Sequence, residues 1–309
     1  MDANADADAA RRGPGRPPSK PPAPPLEMRG VVDSPRDAAN RLEFVYGDPT
    51  MLKDLFTFLR NMKARDIHIR CDPAGLTFFA RDHTKTSRIV AAVAGRHVNW
   101  HYCEGTYWLG LNRDNAEKMF ASIDRSFYKV TIFQTHDDPN TLTFVFKDAD
   151  IEVERNYKMT LSAYAADDEL YAAERQAAAV VAPPAATSGC PLEFTLTAKH
   201  FKKSICDASA YSDVITYEKL GRHPLQLTYA RASVVYNEVY RSDAKIALRT
   251  SVGEGSAFRV TLKVANVKSF AASMVTDDVR IYCREDSDII FRSALDAKAL
   301  VVSVLTRLA

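Results

Sequence analysis

Residues 48–63 read DPTMLKDLFTFLRNMK, which is the pattern of an amphipathic helix. Asp48 stands at the N-cap position with Pro49 just inside, a favourable helix start. Lys53 and Arg60 lie on the polar arc, so we expect one apolar side and one mostly cationic side. The residues that recur at helical spacing form the apolar stripe: Leu52, Leu55, Phe56, Leu59 and Met62.

The unit that contains this helix occurs twice in the chain. Leu42-Glu43-Phe44 opens a strand before the helix, and two strands joined at a Pro73-Ala74-Gly75 turn follow it. Leu192-Glu193-Phe194 opens the same order of elements about 150 residues later, with a helix predicted over 198–210. An internal repeat of this kind predicts two similar domains of α+β class. The second helix buries Phe201, Ile205 and Ala208 and exposes Lys199, Lys202 and Lys203.

Positive charge is concentrated in the predicted helices. The four helices, predicted over 50–65, 112–126, 197–210 and 263–275, sum to +3, 0, +2 and +2, which is +7. The whole chain carries only +2, so the rest sums to −5. This separation points to a polyanionic partner on the helix side.

The remaining composition argues against an enzyme. The 5 cysteines form no C-x-x-C pair, which indicates a reducing compartment, and the 7 histidines show no metal-ligand spacing. We find no glycine-rich phosphate loop and no nucleophile motif, and no apolar run approaches the ~20 residues of a membrane span. We therefore expect an intracellular protein that is not secreted, with no cofactor, no metal site, no small-molecule substrate and no membrane contact.

Proline, alanine and acidic residues dominate the N-terminus, and we expect residues 1–40 to form a disordered basic, Pro-rich tail. Within it, Arg11–Lys20 resembles the AT-hook motif, which implies that Arg16 enters an A·T-rich minor groove. Pro14 departs from that motif, because a second arginine usually stands there. A nuclear-import signal and a solvated linker are the alternatives for this segment.

Composition divides the rest of the chain into three parts. We predict domain 1 over 41–162, a connector rich in alanine and proline over 163–191, and domain 2 over 192–309.

Several local runs resemble the DNA sliding clamps of the proliferating cell nuclear antigen type. They are Leu52-Lys53-Asp54-Leu55, Leu109-Gly110-Leu111-Asn112, the hairpin 140–146 and the helix segment 201–207. The likeness covers roughly 41–309. Within the family, the tail and the segment 274–277 are similar to the clamp-like protein of African swine fever-type large DNA viruses.

The resemblance implies two clamp domains, each with two helices on antiparallel sheet, that close as a head-to-tail homotrimer with the helices inside. It implies a processivity factor that encircles double-stranded DNA and tethers DNA polymerase and other replication and repair proteins. Asp54 and Ala121 stand where the family often has basic residues, which predicts modest affinity through domain 1. The DNA-facing residues it implies are Lys53, Arg60, Lys63, Lys118, Arg125, Lys199, Lys202, Lys203 and Lys268, with Arg16 of the tail added.

The resemblance also implies two protein-contact surfaces. Strand 157–162 of one copy, with Tyr157, Met159 and Leu161, is expected to pair with strand 233–240 of the next, with Val235 and Val239. A partner-peptide groove is expected at Leu170, Tyr171 and Val304, beside the 81–85 loop. The viral resemblance places the protein at replication sites in the host cytoplasm, with the nucleus as an alternative.

Two other hypotheses fit the same charge pattern. One is a monomeric or dimeric polymerase accessory factor that binds DNA without encircling it. The other is a scaffolding protein whose basic helices bind a different polyanion or an acidic protein. The mass of the assembly separates the first from a ring, and competition by duplex DNA separates the second.

Overall fold

The chain folds as two copies of one β-rich plan, as the internal repeat predicts. The computed structural model describes residues 37–83, 87–95, 98–149, 153–162, 190–231, 234–241, 246–274, 277–283, 289–294 and 300–306. Within those ranges each copy contains nine strands and two helices. The fold is α+β with antiparallel sheets.

The first copy begins with β1 (Asn40–Tyr46), α1 (Pro49–Asn61), β2 (Ala64–Asp72), β3 (Gly75–Asp82) and β4 (Ser87–Ala94). It continues with β5 (Trp100–Cys103), β6 (Tyr107–Asn112), α2 (Arg113–Ala121), β7 (Phe127–Thr135), β8 (Thr141–Asp148) and β9 (Glu154–Thr160).

The second copy has the same order of elements. It begins with β10 (Leu192–Thr197), α3 (Ala198–Tyr211), β11 (Val214–Leu220), β12 (Leu225–Arg231) and β13 (Val234–Tyr240). It continues with β14 (Ala247–Thr250), β15 (Ala257–Lys263), α4 (Val264–Ser273), β16 (Asp278–Cys283), β17 (Ile289–Ala294) and β18 (Leu300–Thr306).

Strand order repeats between the copies. In the first, a sheet of order β5-β1-β7-β8-β9 accompanies the row β4-β3-β2-β6; in the second, β14-β10-β16-β17-β18 accompanies β13-β12-β11-β15. The two copies are joined where β18 pairs antiparallel with β4, which makes one nine-stranded sheet. We call this pairing the internal junction. It makes β18 the counterpart of β9, and β4 the counterpart of β13.

Local chemistry sets the helix limits, which differ by a few residues from the prediction. The Asp48 carboxylate accepts the Thr50 N–H at 3.0 Å and starts α1. Lys63 adopts a left-handed conformation (φ 54°) and β2 begins directly after it, so α1 stops before 65. α2 ends at Ala121 rather than near 126. The chain turns there because the Asp124 carboxylate accepts the Ser126 N–H at 2.9 Å.

The predicted apolar stripe of α1 is buried in the core, from Leu52 (0% exposed) to Met62 (3%). Met51 and Phe58 extend the buried side beyond this stripe, at 2% exposure each, because α1 also packs on α4. The Phe58 and Phe270 rings meet edge to face at 6.0 Å. The predicted polar side carries Lys53, Thr57, Arg60 and Asn61, and none of these four residues is buried. Only Arg60 and Asn61 of α1 are exposed.

The described residues from 37 onward form one compact unit, because the internal junction and the α1–α4 contact both join the two copies. Most of the predicted tail and most of the predicted connector lie outside the described residues, and the domain boundaries remain a prediction.

Candidate nucleic-acid interface

The four helices lie side by side in the order α2, α1, α4, α3, because each contacts its neighbour. Their apolar sides face the sheets, which leaves one outward side along the row. Most of the predicted DNA-facing side chains are exposed on or beside this row. They are Arg60, Lys63, Lys118, Arg125, Lys199, Lys203 and Lys268.

Two predicted DNA-facing lysines have structural hydrogen bonds. The Lys53 ammonium donates to the carbonyl oxygen of Ile123 at 2.6 Å, just beyond the end of α2. Lys202 donates to the carbonyl oxygen of Met274 at 2.8 Å, just beyond the end of α4. Both lysines are half-buried and both are the fifth residue of their helix. Each one satisfies a carbonyl at the negative end of a neighbouring helix.

Charge is partly neutralised on the first half of the row. Arg60 Nη1 lies 2.8 Å from Glu117 Oε1 and joins α1 to α2. Asp54 adds a carboxyl group to the same half, although burial, and then the charge of Asp48, raise its pKa. The second half of the row, formed by α3 and α4, carries several exposed cations. Within the described residues of these two helices, Asp207 is the single exposed acid. The stronger electrostatic surface for an anion is therefore formed by α3 and α4.

Lys263 was missed as a candidate although it fell within a predicted helix. It is exposed at the N-cap position of α4, where its side chain makes no capping hydrogen bond. A lysine instead of Ser, Thr, Asp or Asn at a helix start was the available signal. Arg16 lies outside the described residues, so its predicted role is still a prediction.

Both strands predicted to contact a second copy lie at sheet edges. Val235 (59% exposed) and Val239 (46%) project outward from β13. Met159 is only 6% exposed and faces the core, because alternate side chains of β9 point inward. Tyr157 and Leu161 are half-buried against the same core. These three predicted side chains therefore offer little to a partner beyond the backbone edge of β9.

A second apolar cluster lies on the face of the nine-stranded sheet opposite the helices. Its members span the internal junction, and the sequence showed it as consecutive apolar residues, which indicate a strand covered on both faces. Leu170 and Tyr171 of the predicted groove lie outside the described residues, and Val304 is described only by its place in β18, where it pairs with Ile89. The cluster contains Phe79, Val90, Tyr282 and Ile290, with Trp108 and Cys190 packed against it.

Across the described ranges, no three His, Cys, Asp or Glu side chains come together in a way that could hold a metal ion. In the same part of the chain, no helix has the length and apolarity needed to cross a membrane.

Comparison with known proteins gives one family. The model of the proliferating cell nuclear antigen, N-terminal domain, matches residues 41–170. An uncharacterized protein of African swine fever virus, from isolates Pig/Kenya/KEN-50 and Warthog/Namibia/Wart80, is 40% identical over 292 residues. The alignment covers 94% of this chain and 95% of each relative. The chain therefore belongs to the proliferating cell nuclear antigen family and is a relative of these African swine fever virus proteins.

Proposed function

We propose that the chain is a DNA sliding clamp, in which three copies close head to tail into a ring around double-stranded DNA. One observation carries the proposal: the internal junction joins the two halves of a chain by edges whose counterparts, β9 and β13, remain at sheet ends. A contact that joins equivalent halves can be repeated between chains. Such heterologous contacts make rings when the rotation closes. The number three comes from the family.

The repeat predicts which residues of β9 take the place of β18 residues. Phe144 pairs with Tyr157 on β9, and Phe291 pairs with Val304 on β18. Phe144 and Phe291 are themselves equivalent, since each lies two strands away from the repeated Leu-Glu-Phe of its copy. Tyr157 therefore corresponds to Val304, and residues of β9 correspond to β18 at an offset of 147.

The same reasoning aligns β13 with β4. Phe78 pairs with Ala91 on β4, and Leu227 pairs with Glu238 on β13. Counted across the sheet from the strand that precedes the second helix of each copy, the two pairs lie on corresponding strands and at the same position along them. Ala91 therefore corresponds to Glu238, again at an offset of 147.

Transferring the register of the internal junction gives the pairing between copies. Val302 pairs with Ala91, Ser303 with Val90 and Val304 with Ile89. Between two neighbouring chains of the ring, the corresponding opposite pairs are Arg155 with Glu238, Asn156 with Asn237, and Tyr157 with Tyr236. Because β9 and β13 lie at sheet ends, their outer backbone groups can form this ladder.

The helix row supplies the DNA-facing surface of the proposed ring. Lysine and arginine side chains attract phosphates without reading bases, which permits sliding and makes affinity fall steeply with salt. Lys199, Lys203 and Lys268 contribute most, because they lie where acidic neighbours are sparse. Lys53 and Lys202 contribute less than predicted, since each is held by a carbonyl.

The proposed role is to tether a DNA polymerase and other replication and repair proteins, and no catalysis, cofactor or small-molecule substrate is needed for it. Partner peptides are expected on the face of the second apolar cluster, near the connector. We expect the protein at viral replication sites in the host cytoplasm, with the nucleus as the alternative, since its relatives are proteins of African swine fever virus.

The decisive experiment is the mass by light scattering on a size-exclusion column, at low and physiological salt. We expect three times 34.4 kDa. A single-chain mass at every concentration would overturn the ring and favour the accessory factor that binds DNA without encircling it. For a trimer, retention on closed circular DNA with loss from the same DNA after linearisation tests encirclement, and equal loss from both would contradict it.

A further inference from the structure

The surface of α3 that lies beside β13 is polar, although its counterpart on α1 is apolar. The matching hydrogen bonds of Lys53 and Lys202 align the two helices at an offset of 149. Phe58, buried in the α1–α4 contact, then corresponds to exposed Asp207. Leu55 likewise corresponds to Ser204. The open side of α3 beside β13 therefore carries polar groups at the positions where α1 carries packed apolar side chains.

Glu238 is fixed at the centre of this polar surface. One of its carboxylate oxygens accepts the Ser204 hydroxyl at 2.8 Å and the Tyr240 hydroxyl at 3.1 Å. Its other oxygen lies 2.8 Å from His200 Nε2. The side chain retains 31% of its exposure. An oriented, partly exposed carboxylate on an edge strand is suited to receive a cation from a pairing strand.

Arg155 on β9 is fixed in a comparable way. Its guanidinium lies over the Phe127 ring, 4.8 Å from the ring centre, and Nη1 donates to the Ser122 carbonyl at 3.3 Å. It lies on the helix side of its strand, because it is an even number of residues from Met159, which faces the core. Glu238 lies on the helix side of β13 as well, since its partners Ser204 and His200 belong to α3.

The transferred register places these two residues directly opposite each other. We propose that Arg155 of one chain and Glu238 of the next chain form a charge pair. This pair fixes the register of the contact and makes it selective for another molecule of the same protein. This inference rests on the head-to-tail contact of the proposed function. The corresponding residues of the internal junction, Val302 and Ala91, carry no charge.

The physical advantage lies in the unassembled chain. A charge on each edge strand discourages indiscriminate strand pairing, since a wrong partner leaves that charge unmatched. A slip of two residues would place Glu238 opposite Val153 or Tyr157, neither of which is a cation. Complementary charges at an interface set orientation and partner choice in this way.

Charge reversal tests the pair through the mass of the assembly. Arg155→Glu alone is expected to raise the protein concentration needed for assembly about tenfold or more, because two carboxylates then face each other. Arg155→Glu with Glu238→Arg in one chain is expected to restore the trimer. Lys158→Glu is the matched control, because it reverses a charge on the same strand opposite Val235, and its effect is expected to stay under about threefold. Equal losses from Arg155→Glu and Lys158→Glu would overturn the pair.

A second variant guards against damage to the Glu238 hydrogen bonds. Glu238→Gln keeps an oxygen for Ser204 and Tyr240, so Arg155→Glu with Glu238→Gln is expected to assemble better than Arg155→Glu alone. No recovery in this variant, with thermal unfolding unchanged, would overturn the pair. The two proposals fail differently. A wild-type chain that remains at 34.4 kDa overturns the ring, whereas a trimeric wild type that is indifferent to Arg155→Glu overturns the pair alone.

Discussion

Lys53 donates a hydrogen bond of 2.6 Å to the carbonyl oxygen of Ile123, and thereby ties α1 to the end of α2. Lys202 repeats the bond to Met274 at the same point of the second copy. A contact that occurs at the same point of both copies indicates a structural role. It separates the lysines that hold helices together from those that face outward.

The adjacent pair Lys202 and Lys203 tests this separation. Lys202→Met retains the apolar stem but loses the charged hydrogen bond, and should lower the free energy of unfolding by about 1 kcal/mol. Lys203→Met removes an exposed charge and should stay within about 0.5 kcal/mol. Chemical denaturation measures both. Equal destabilisation would show that the bond of Lys202 contributes nothing specific.

DNA affinity should depend on the lysines that face outward from α3 and α4. Lys199→Gln, Lys203→Gln and Lys268→Gln are each expected to weaken binding to duplexes of any sequence and to reduce the salt slope by about one for each phosphate that is no longer neutralised. Fluorescence anisotropy across a salt series measures this slope. Arg259→Gln is the control, since Arg259 is exposed on strand β15 opposite Glu218. A slope change as large in the control would contradict a helix-side interface.

Cysteine cross-linking tests the register between copies. Asn156→Cys with Asn237→Cys places two thiols opposite each other, where paired strands hold their Cα atoms about 4.5–5.5 Å apart, within disulfide range. Mild oxidation should then give covalent trimers on a denaturing gel. Lys158→Cys with Asn237→Cys, shifted by two residues, should link poorly. Efficient linking of the shifted pair alone would show that the register is wrong.

Asp54 predicts an unusual pH dependence. Its pKa is raised above 3.8 chiefly by burial and then by Asp48, so the folded chain binds this proton more tightly than the unfolded chain. Protonated Asp54 therefore favours the folded chain, and this stabilisation is lost as pH rises from 3.8 through the folded pKa. Asp54→Asn should remove that loss and stabilise the protein at neutral pH by up to about 0.5 kcal/mol.

Denaturation midpoints from pH 3.8 upward measure the effect of Asp54→Asn. Asp114→Asn is the comparison, because Asp114 lies in the first turn of α2, where a carboxylate favours the helix. It should destabilise slightly. The Asp54 interpretation fails if both variants change stability in the same direction.

Phe58 tests the contact between the two copies within one chain. Phe58→Ala removes a ring that packs on Phe270 and should cost about 3–5 kcal/mol, because a cavity remains between α1 and α4. Asp207→Ala changes the corresponding exposed position on α3 and should stay within about 0.5 kcal/mol. Chemical denaturation measures the two variants in parallel. A small cost at Phe58 would mean that the α1–α4 contact contributes little to stability.

Much of the fold followed from the order of residues alone. The repeated Leu-Glu-Phe strands, the helix stripe from Leu52 to Met62 and the capping residue Asp48 are local signals, and each lies where the sequence predicts it. Alternating apolar residues placed the hairpin β7–β8 within two residues, and the exposed lysines of α3 were visible as the arc opposite its apolar stripe. Periodicity reports which side of an element is apolar.

Periodicity does not report which other elements a helix meets. Phe58 lies outside the predicted apolar stripe, yet it is buried, because only the folded chain brings α4 against α1. Lys53 and Lys202 look like free cations in the sequence, and their carbonyl partners lie about 70 residues away.

The sequence by itself determined the elements, the repeat and the side of the molecule that carries positive charge, since these depend on neighbours within a few residues. Only the tertiary structure decided which charges remain available and which edge strands remain open at sheet ends. The proposed register that sets Arg155 against Glu238 is inferred from the same kind of information. It follows from hydrogen-bonded pairing between strands far apart in the chain, which no local pattern encodes.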